Sequence, residues 1–174
     1  MTSSPNSKSK PDRRGFISTS GKIAAASVIG TTLTPSASFG YHNSVNDKLK
    51  IGLIGCGGRG TGAVLNACNA DSNSEVTALA DAFMDRINSC AKSLKGQLND
   101  RFAVAEDHKF DGIDCYKKLC ATDVDVVLLA TPPYFRPTQL KAAVDAGKHV
   151  FCEKPVGVDV PGVRSVMESC KKAA

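Results

Sequence analysis

From Lys48 onward, short apolar runs alternate with stretches whose apolar residues recur every three or four positions. The first pattern predicts strands and the second helices. Ile51 to Ile54 is the first run, and Glu75 to Leu79, ending at Asp81, is the second. Phe110 to Asp114 is ambiguous and can hold a brief third strand. Asp123 to Ala130 contains V-D-V-V-L-L-A, a near-continuous apolar run that fits a strand buried on both faces of a parallel sheet. Thr131, Pro132 and Pro133 stop it. His149 to Cys152 is the last run.

Helical spacing fills the gaps. Thr61 to Ala70 can continue as a helix from the turn before it. Phe83, Ile87, Ala91 and Leu94 share one face of a second helix, Phe83 to Leu94. Gly96 to Lys109 is polar and irregular, and reads as a surface loop. Tyr116 to Cys120 predicts a short helix. Arg136 to Ala146 carries Leu140, Ala143 and Val144 on one face, with Gly147 as its C-terminal glycine. Pro161 to Ala174 has Pro at its start and Val163, Val166, Met167 and Cys170 at helical spacing. Strands alternating with helices predict an α/β fold with a right-handed, parallel, doubly wound sheet.

Between the first strand and its helix stands G-C-G-G-R-G, Gly55 to Gly60. G-x-G-x-x-G in that position is a dinucleotide-binding pattern. Gly55 permits the tight turn, and Gly57 lets a pyrophosphate approach the backbone. Gly60 lets helix and strand pack closely. The free N–H groups and positive dipole end of the helix then face the phosphates. Gly55, Cys56, Gly57, Gly58, Arg59 and Gly60 are therefore the candidate cofactor loop. Asp81 ends the second strand, where a carboxylate accepts hydrogen bonds from ribose hydroxyls and repels a 2′-phosphate. NAD is expected over NADP.

The formal net charge of +5 is concentrated at one end. Up to Ser38 there are five Lys/Arg against one Asp. From Phe39 onward seventeen Lys/Arg face sixteen Asp/Glu. The globular part is nearly neutral, so no basic face for nucleic acid is implied. Met1 to Asp12 is polar. Arg13 and Arg14 precede Gly15, Phe16 and Ile17, and a weakly apolar segment, Ile23 to Leu33, leads to small residues at Ser36, Ala37 and Ser38. That order describes an export signal. The arginine pair resembles the R-R-x-F-[LI] of twin-arginine signals, which predicts a periplasmic or other extracytoplasmic location. The expected organisation is a signal over 1–38, a linker over 39–47 and a dinucleotide-binding domain over 48–174. No run is long and apolar enough for a lasting membrane span.

Seven cysteines, Cys56, Cys68, Cys90, Cys115, Cys120, Cys152 and Cys170, form no C-x-x-C pair, and His42, His108 and His149 are the only histidines. Neither a metal site nor a disulfide framework is expected. Cys56 is read as a small side chain in the glycine loop rather than a nucleophile.

In parallel sheets, ligands sit at the carboxyl ends of strands. Besides the glycine turn, two such ends matter: Thr131 to Tyr134, and Glu153 to Pro155. Glu153 and Lys154 read equally as structural or solvated charges, and as a carboxylate and ammonium beside a reacting group. In the second reading Lys154 polarises a substrate oxygen or shares its proton during hydride transfer.

I-G-L-I-G-C-G-G-R-G at Ile51 to Gly60, A-T-P-P at Ala130 to Pro133 and A-G-K-H-V-F-C-E-K-P at Ala146 to Pro155 together resemble the Gfo/Idh/MocA oxidoreductase family. The resemblance runs from about Lys48 to the end. It implies a Rossmann-type fold and a catalytic Lys154 beside nicotinamide and substrate. It also implies that Glu153, Thr131 and Pro132 line the cofactor. The family often has His five positions after that Thr, where this chain has Arg136. Family members continue into an open-sheet α/β domain that supplies much of the substrate pocket. This sequence stops one helix after E-K-P, so that second, substrate domain is expected to be absent. The chain is expected to be inactive by itself, with apolar surface left exposed, and to be marginally stable or to self-associate as a homo-oligomer. The function implied is a nicotinamide-dependent oxidoreductase, or its cofactor half, acting on a small-molecule sugar, polyol or derivative. An NAD-dependent glycosidase and a non-catalytic dinucleotide-binding module are the alternatives.

Overall fold

The computed structural model describes residues 48–173. The arginine pair Arg13–Arg14, the rest of the expected signal up to Ser38 and the linker over 39–47 lie outside the described residues. Strand β1 (Leu49–Ile54) lies at the centre of a five-stranded, fully parallel sheet. Helix α1 (Gly58–Ala70) leads to β2 (Ser74–Asp81), and α2 (Met84–Leu98) leads to the short β3 (Lys109–Asp111). Then follow α3 (Cys115–Cys120), β4 (Val126–Leu129), α4 (Arg136–Asp145), β5 (His149–Cys152) and α5 (Val160–Ala173). The strand order is β3-β2-β1-β4-β5.

Side chains alternate across the strands, so each face has its own apolar cluster. Ile51, Leu53, Val76, Leu79 and Leu128 pack under α1 and α2. Ile54, Ala78, Ala80, Val127 and Leu129 pack against α3, α4 and α5. Fully burying a Leu or Ile side chain contributes about 1.5–3 kcal/mol, so Leu53, Ile54, Leu79, Ile87, Leu94, Leu119 and Leu129 are main anchors of the fold. The β1–β2 register shifts between Ile51 and Gly52, leaving Thr77 unpaired with β1. That bulge moves Val76 and Ala78 to opposite faces.

Several boundaries differ from the sequence expectation. Helix α1 begins at Gly58, inside the glycine loop, with Gly57 as its N-cap and Thr61 N–H donating to Gly57 O at 2.9 Å. Gly96 lies within α2, which runs four residues beyond Leu94, to Leu98. The expected loop from Gly96 is therefore partly helix. The rest is not a free surface loop either. Phe102 and Val104 pack against the α1–α2 cluster, Ala103 N–H donates to Val76 O at 2.9 Å, and Arg101 Nη1 donates to Cys68 O at 2.5 Å. The ambiguous third strand covers Lys109–Asp111, not Phe110 to Asp114, because Gly112 takes a φ of +96° and turns the chain into α3. The strand expected over Asp123 to Ala130 is shorter, covering Val126–Leu129, and Asp125 just before it already donates its N–H to Lys50 O while its Oδ2 accepts from Lys50 N–H.

All seven cysteines are free. Five are buried, Cys152 is half-buried and Cys170 is exposed. Among the described residues no helix is long and apolar enough to cross a membrane, and no group of His, Cys, Asp or Glu is arranged to hold a metal ion. Phe151 on β5 and Val160, Val163 and Met167 on α5 are exposed apolar residues.

Candidate dinucleotide site

The strand order reverses at β1. The chain runs from β1 to β2 and β3 on one side, then crosses back to β4 on the other. The carboxyl ends of β1 and β4 therefore flank the switch point where parallel sheets bind ligands. Gly55 ends β1 with a φ of +100°, and its N–H donates to Ala80 O at 2.8 Å. A Cβ there would stand 2.7 Å from the Thr131 nitrogen, so β4 also closes on this glycine. At Gly60 a Cβ would stand 1.9 Å from Gly55 O, so the first turn of α1 rests directly on the end of β1. Gly57 and Gly58 differ: a Cβ at either meets nothing within 4 Å. The first pair of glycines closes the fold, and the second leaves open backbone.

Gly57 is the N-cap of α1, with no side-chain cap and no acidic residue in the first turn. The leading N–H groups of a helix lack intrahelical partners, and here no carboxylate of the first turn competes for them. This is a cradle for an anion. Asp81, half-buried at the end of β2, accepts Cys56 N–H through Oδ2 at 2.7 Å and Phe83 N–H through Oδ1 at 3.1 Å. Each oxygen keeps a lone pair for a ligand hydroxyl. The donor set and the open glycines fit a dinucleotide.

Cys56 is buried, and its Sγ lies 3.6 Å from Ala80 O. The neighbouring Cys90 thiol and burial raise its thiol above the ordinary value. The thiol form persists at neutral pH, in keeping with a packing role. Cys90 is shifted the other way by Cys56, and Thr61 Oγ1 donates to it at 3.2 Å.

On the β4–β5 side, Thr131 is half-buried and Pro132 is exposed. Thr131 Oγ1 donates to Gln139 Oε1 at 2.6 Å. Glu153 is 5% exposed and Lys154 is exposed. Glu153 forms an ion pair with Arg59, reaching from the first turn of α1 across the end of β4. The Arg59 guanidinium holds the Glu153 carboxyl below the ordinary carboxylate range. The sequence reading did not foresee this partner. The structure thus brings Gly55 to Gly60, Asp81, Thr131, Pro132, Glu153 and Lys154 to one edge of the sheet.

Two further features were not foreseen. Arg136, in the first turn of α4, is 6% exposed and donates to backbone carbonyls of both neighbouring turns. Its position after T-P-P and before Pro137 is a weak signal, because a helix-start Arg ordinarily points to water. Behind the T-P-P turn lies a cleft of about 360 Å³, lined by Tyr116, Tyr134, Phe135, Gln139, Val158 and Pro161, among others. Tyr134 and Phe135 meet edge to face with centroids 5.3 Å apart.

The chain matches the oxidoreductase family with an NAD-binding Rossmann fold, Gfo/Idh/MocA, over residues 49–174. It belongs to that family. A glycosyl hydrolase family 109 protein from Shewanella amazonensis is 30% identical over 172 residues, covering 92% of this chain and 37% of that protein. An inositol 2-dehydrogenase from Rhodococcus erythropolis is 30% identical over 126 residues, covering 72% of this chain and 33% of that enzyme. The crystal structure of a 3-ketoreductase from Actinomadura kijaniata, in complex with NADP and TDP-benzene, aligns with a TM-score of 0.54 at 29% identity, over 72% of this chain and 35% of that one. The chain spans about a third of the length of these relatives.

Proposed function

We propose that this chain is the NAD-binding part of an oxidoreductase that moves a hydride to or from a carbon of a sugar, polyol or related derivative. The uncapped start of α1 at the switch point, with open backbone at Gly57 and Gly58, carries this reading. The nicotinamide, when bound, supplies the hydride acceptor or donor. Gly57 and Gly58 let the pyrophosphate reach the N–H groups of α1. Asp81 accepts the adenosine ribose hydroxyls and disfavours a 2′-phosphate. Thr131 and Pro132 border the cofactor, while Glu153 and Arg59 close the edge between α1 and β5. Lys154, exposed at the end of β5, holds the proton that leaves or joins the substrate oxygen.

A second reading, an NAD-dependent glycosidase, is favoured by the family 109 relative, which covers 92% of this chain. A third is a dinucleotide-binding module without catalysis. Titration of the 174-residue chain with NADH, followed by its fluorescence, tests the shared core. Saturable binding is expected, and its absence would remove all three readings. Net NADH production with a free polyol then separates the dehydrogenase from the glycosidase, which would cleave a glycoside without net NADH. Because the chain alone is expected to bind without turnover, both activities are read in a longer relative that carries the substrate domain, and binding with neither activity there leaves the module.

Export is proposed from the arginine pair with Phe16 and Ile17. A twin-arginine route carries folded proteins, which would suit a domain loaded with cofactor before it leaves the cytoplasm. Arg13→Lys combined with Arg14→Lys is expected to retain a reporter fusion in the cytoplasm. Unchanged export of that double variant would argue for another route.

A further inference from the structure

We infer that Arg136 is a positioning residue that sets Lys154 and the nicotinamide half of the site. The inference rests on the dinucleotide reading above. Arg136 Nε donates to Thr131 O at 2.7 Å, at the end of β4. Its Nη1 donates to Glu153 O at 2.7 Å and to Pro155 O at 2.5 Å, after the end of β5. One guanidinium therefore joins two turns that are twenty or more residues apart in sequence.

The carbonyls it holds are telling. Glu153 O and Pro155 O stand immediately before and after Lys154, so the backbone on both sides of that lysine is fixed by one side chain. Both carbonyls are drawn toward the interior, where Arg136 is buried, while the Lys154 side chain is exposed. Without this tether the turn keeps Glu153 N–H donating to Leu129 O, at 3.0 Å, as its link to β4.

A buried guanidinium is costly unless its N–H groups find acceptors. Three backbone carbonyls meet that need. A planar fork donates in several fixed directions from one plane, which a lysine ammonium on a flexible stem does not reproduce. Arg136 also adds positive charge near Glu153, in the same sense as Arg59. Arg136 itself makes no hydrogen bond to the glycine loop, where the adenosine half and the pyrophosphate would sit; it reaches that loop only at one remove, through Thr131, which closes on Gly55, and Glu153, which pairs with Arg59. Arg136 is thus coupled directly to the turn that carries Lys154 and only indirectly to the glycine loop.

The test uses the 174-residue chain and its variants Arg136→Gln and Arg136→Lys. NADH is titrated by fluorescence and ADP-ribose by calorimetry, with far-UV circular dichroism and thermal melts on each protein. ADP-ribose carries the adenosine and pyrophosphate but no nicotinamide. For Arg136→Gln, ADP-ribose affinity is expected to stay within about twofold of the parent while NADH affinity falls about fivefold or more. Arg136→Lys should lie between the two, with partial recovery of nicotinamide emission. Equal losses for both ligands would assign Arg136 to general stability and overturn the inference, as would unchanged NADH affinity. Should Arg136→Gln fail to fold, Arg136→Lys carries the same comparison. If the parent chain binds neither ligand, the dinucleotide reading itself falls and this inference with it, an outcome distinct from the others.

Discussion

Gly60→Ala is expected to destabilise the domain, whereas Gly57→Ala, three residues away, is expected to leave its stability nearly unchanged and weaken NADH instead. At Gly60 the added methyl group would stand 1.9 Å from Gly55 O, a backbone atom that cannot rotate aside. The first turn of α1 must lift from β1, and overpacking of that kind costs about 3 kcal/mol. At Gly57 the added carbon meets nothing within 4 Å, and a φ of −75° suits alanine as well as glycine. Its folding cost is therefore within about 0.5 kcal/mol, as for surface substitutions generally. The same methyl group occupies the space a pyrophosphate needs, so NADH affinity should drop about tenfold or more, equivalent to at least about 1.4 kcal/mol. Urea unfolding and NADH titration of the two variants give the comparison. Destabilisation by Gly57→Ala with unchanged NADH binding would reverse the assigned roles.

The second large effect concerns Asp81. The parent chain is expected to bind NADH more tightly than NADPH, and Asp81→Asn is expected to narrow that gap by about 1–3 kcal/mol, roughly fivefold to 150-fold. Asparagine is nearly isosteric and removes the charge that repels a 2′-phosphate. Its single oxygen can still accept Cys56 N–H, but Phe83 N–H then loses its acceptor. A stability loss of about 1 kcal/mol should accompany the change. Parallel titrations with NADH and NADPH decide the matter. Equal or tighter NADPH binding by the parent chain would sink the preference, and the Actinomadura ketoreductase, crystallised with NADP, makes the comparison a real one.

The glycine loop was legible because its causes are local. A positive φ at Gly55, close approach at Gly60 and open backbone at Gly57 each follow from one residue lacking a side chain. The run V-V-L-L at Val126–Leu129 was legible because apolar continuity reports two-sided burial. Gly96 misled because glycine disfavours helix by about 1 kcal/mol, an amount that Leu94 and Leu98, both buried, readily outweigh. Phe102 and Val104 were lost in a polar stretch because burial of isolated residues leaves no period. The Arg59–Glu153 pair and the Arg136 contacts were hidden for another reason. They join segments 94 and up to 19 residues apart, respectively, and depend on strand order, which no local pattern encodes.

Strand β5 pairs with β4 along one side and stands at the edge of the five-stranded sheet. Its four residues therefore have half the ladder that holds β1, which pairs with both β2 and β4. Backbone openings begin where such bonds are fewest, so amide exchange should be fast along the two edge strands, β3 and β5, and slowest along β1. The two ends of a bound dinucleotide would then meet supports of unequal firmness. The glycine loop stands on the most protected strand of the sheet, and Lys154 on one of the least. Part of the free energy of binding at the lysine end is consumed in quieting that strand, so occupancy of the site should be felt there as slower exchange before any other strand registers it.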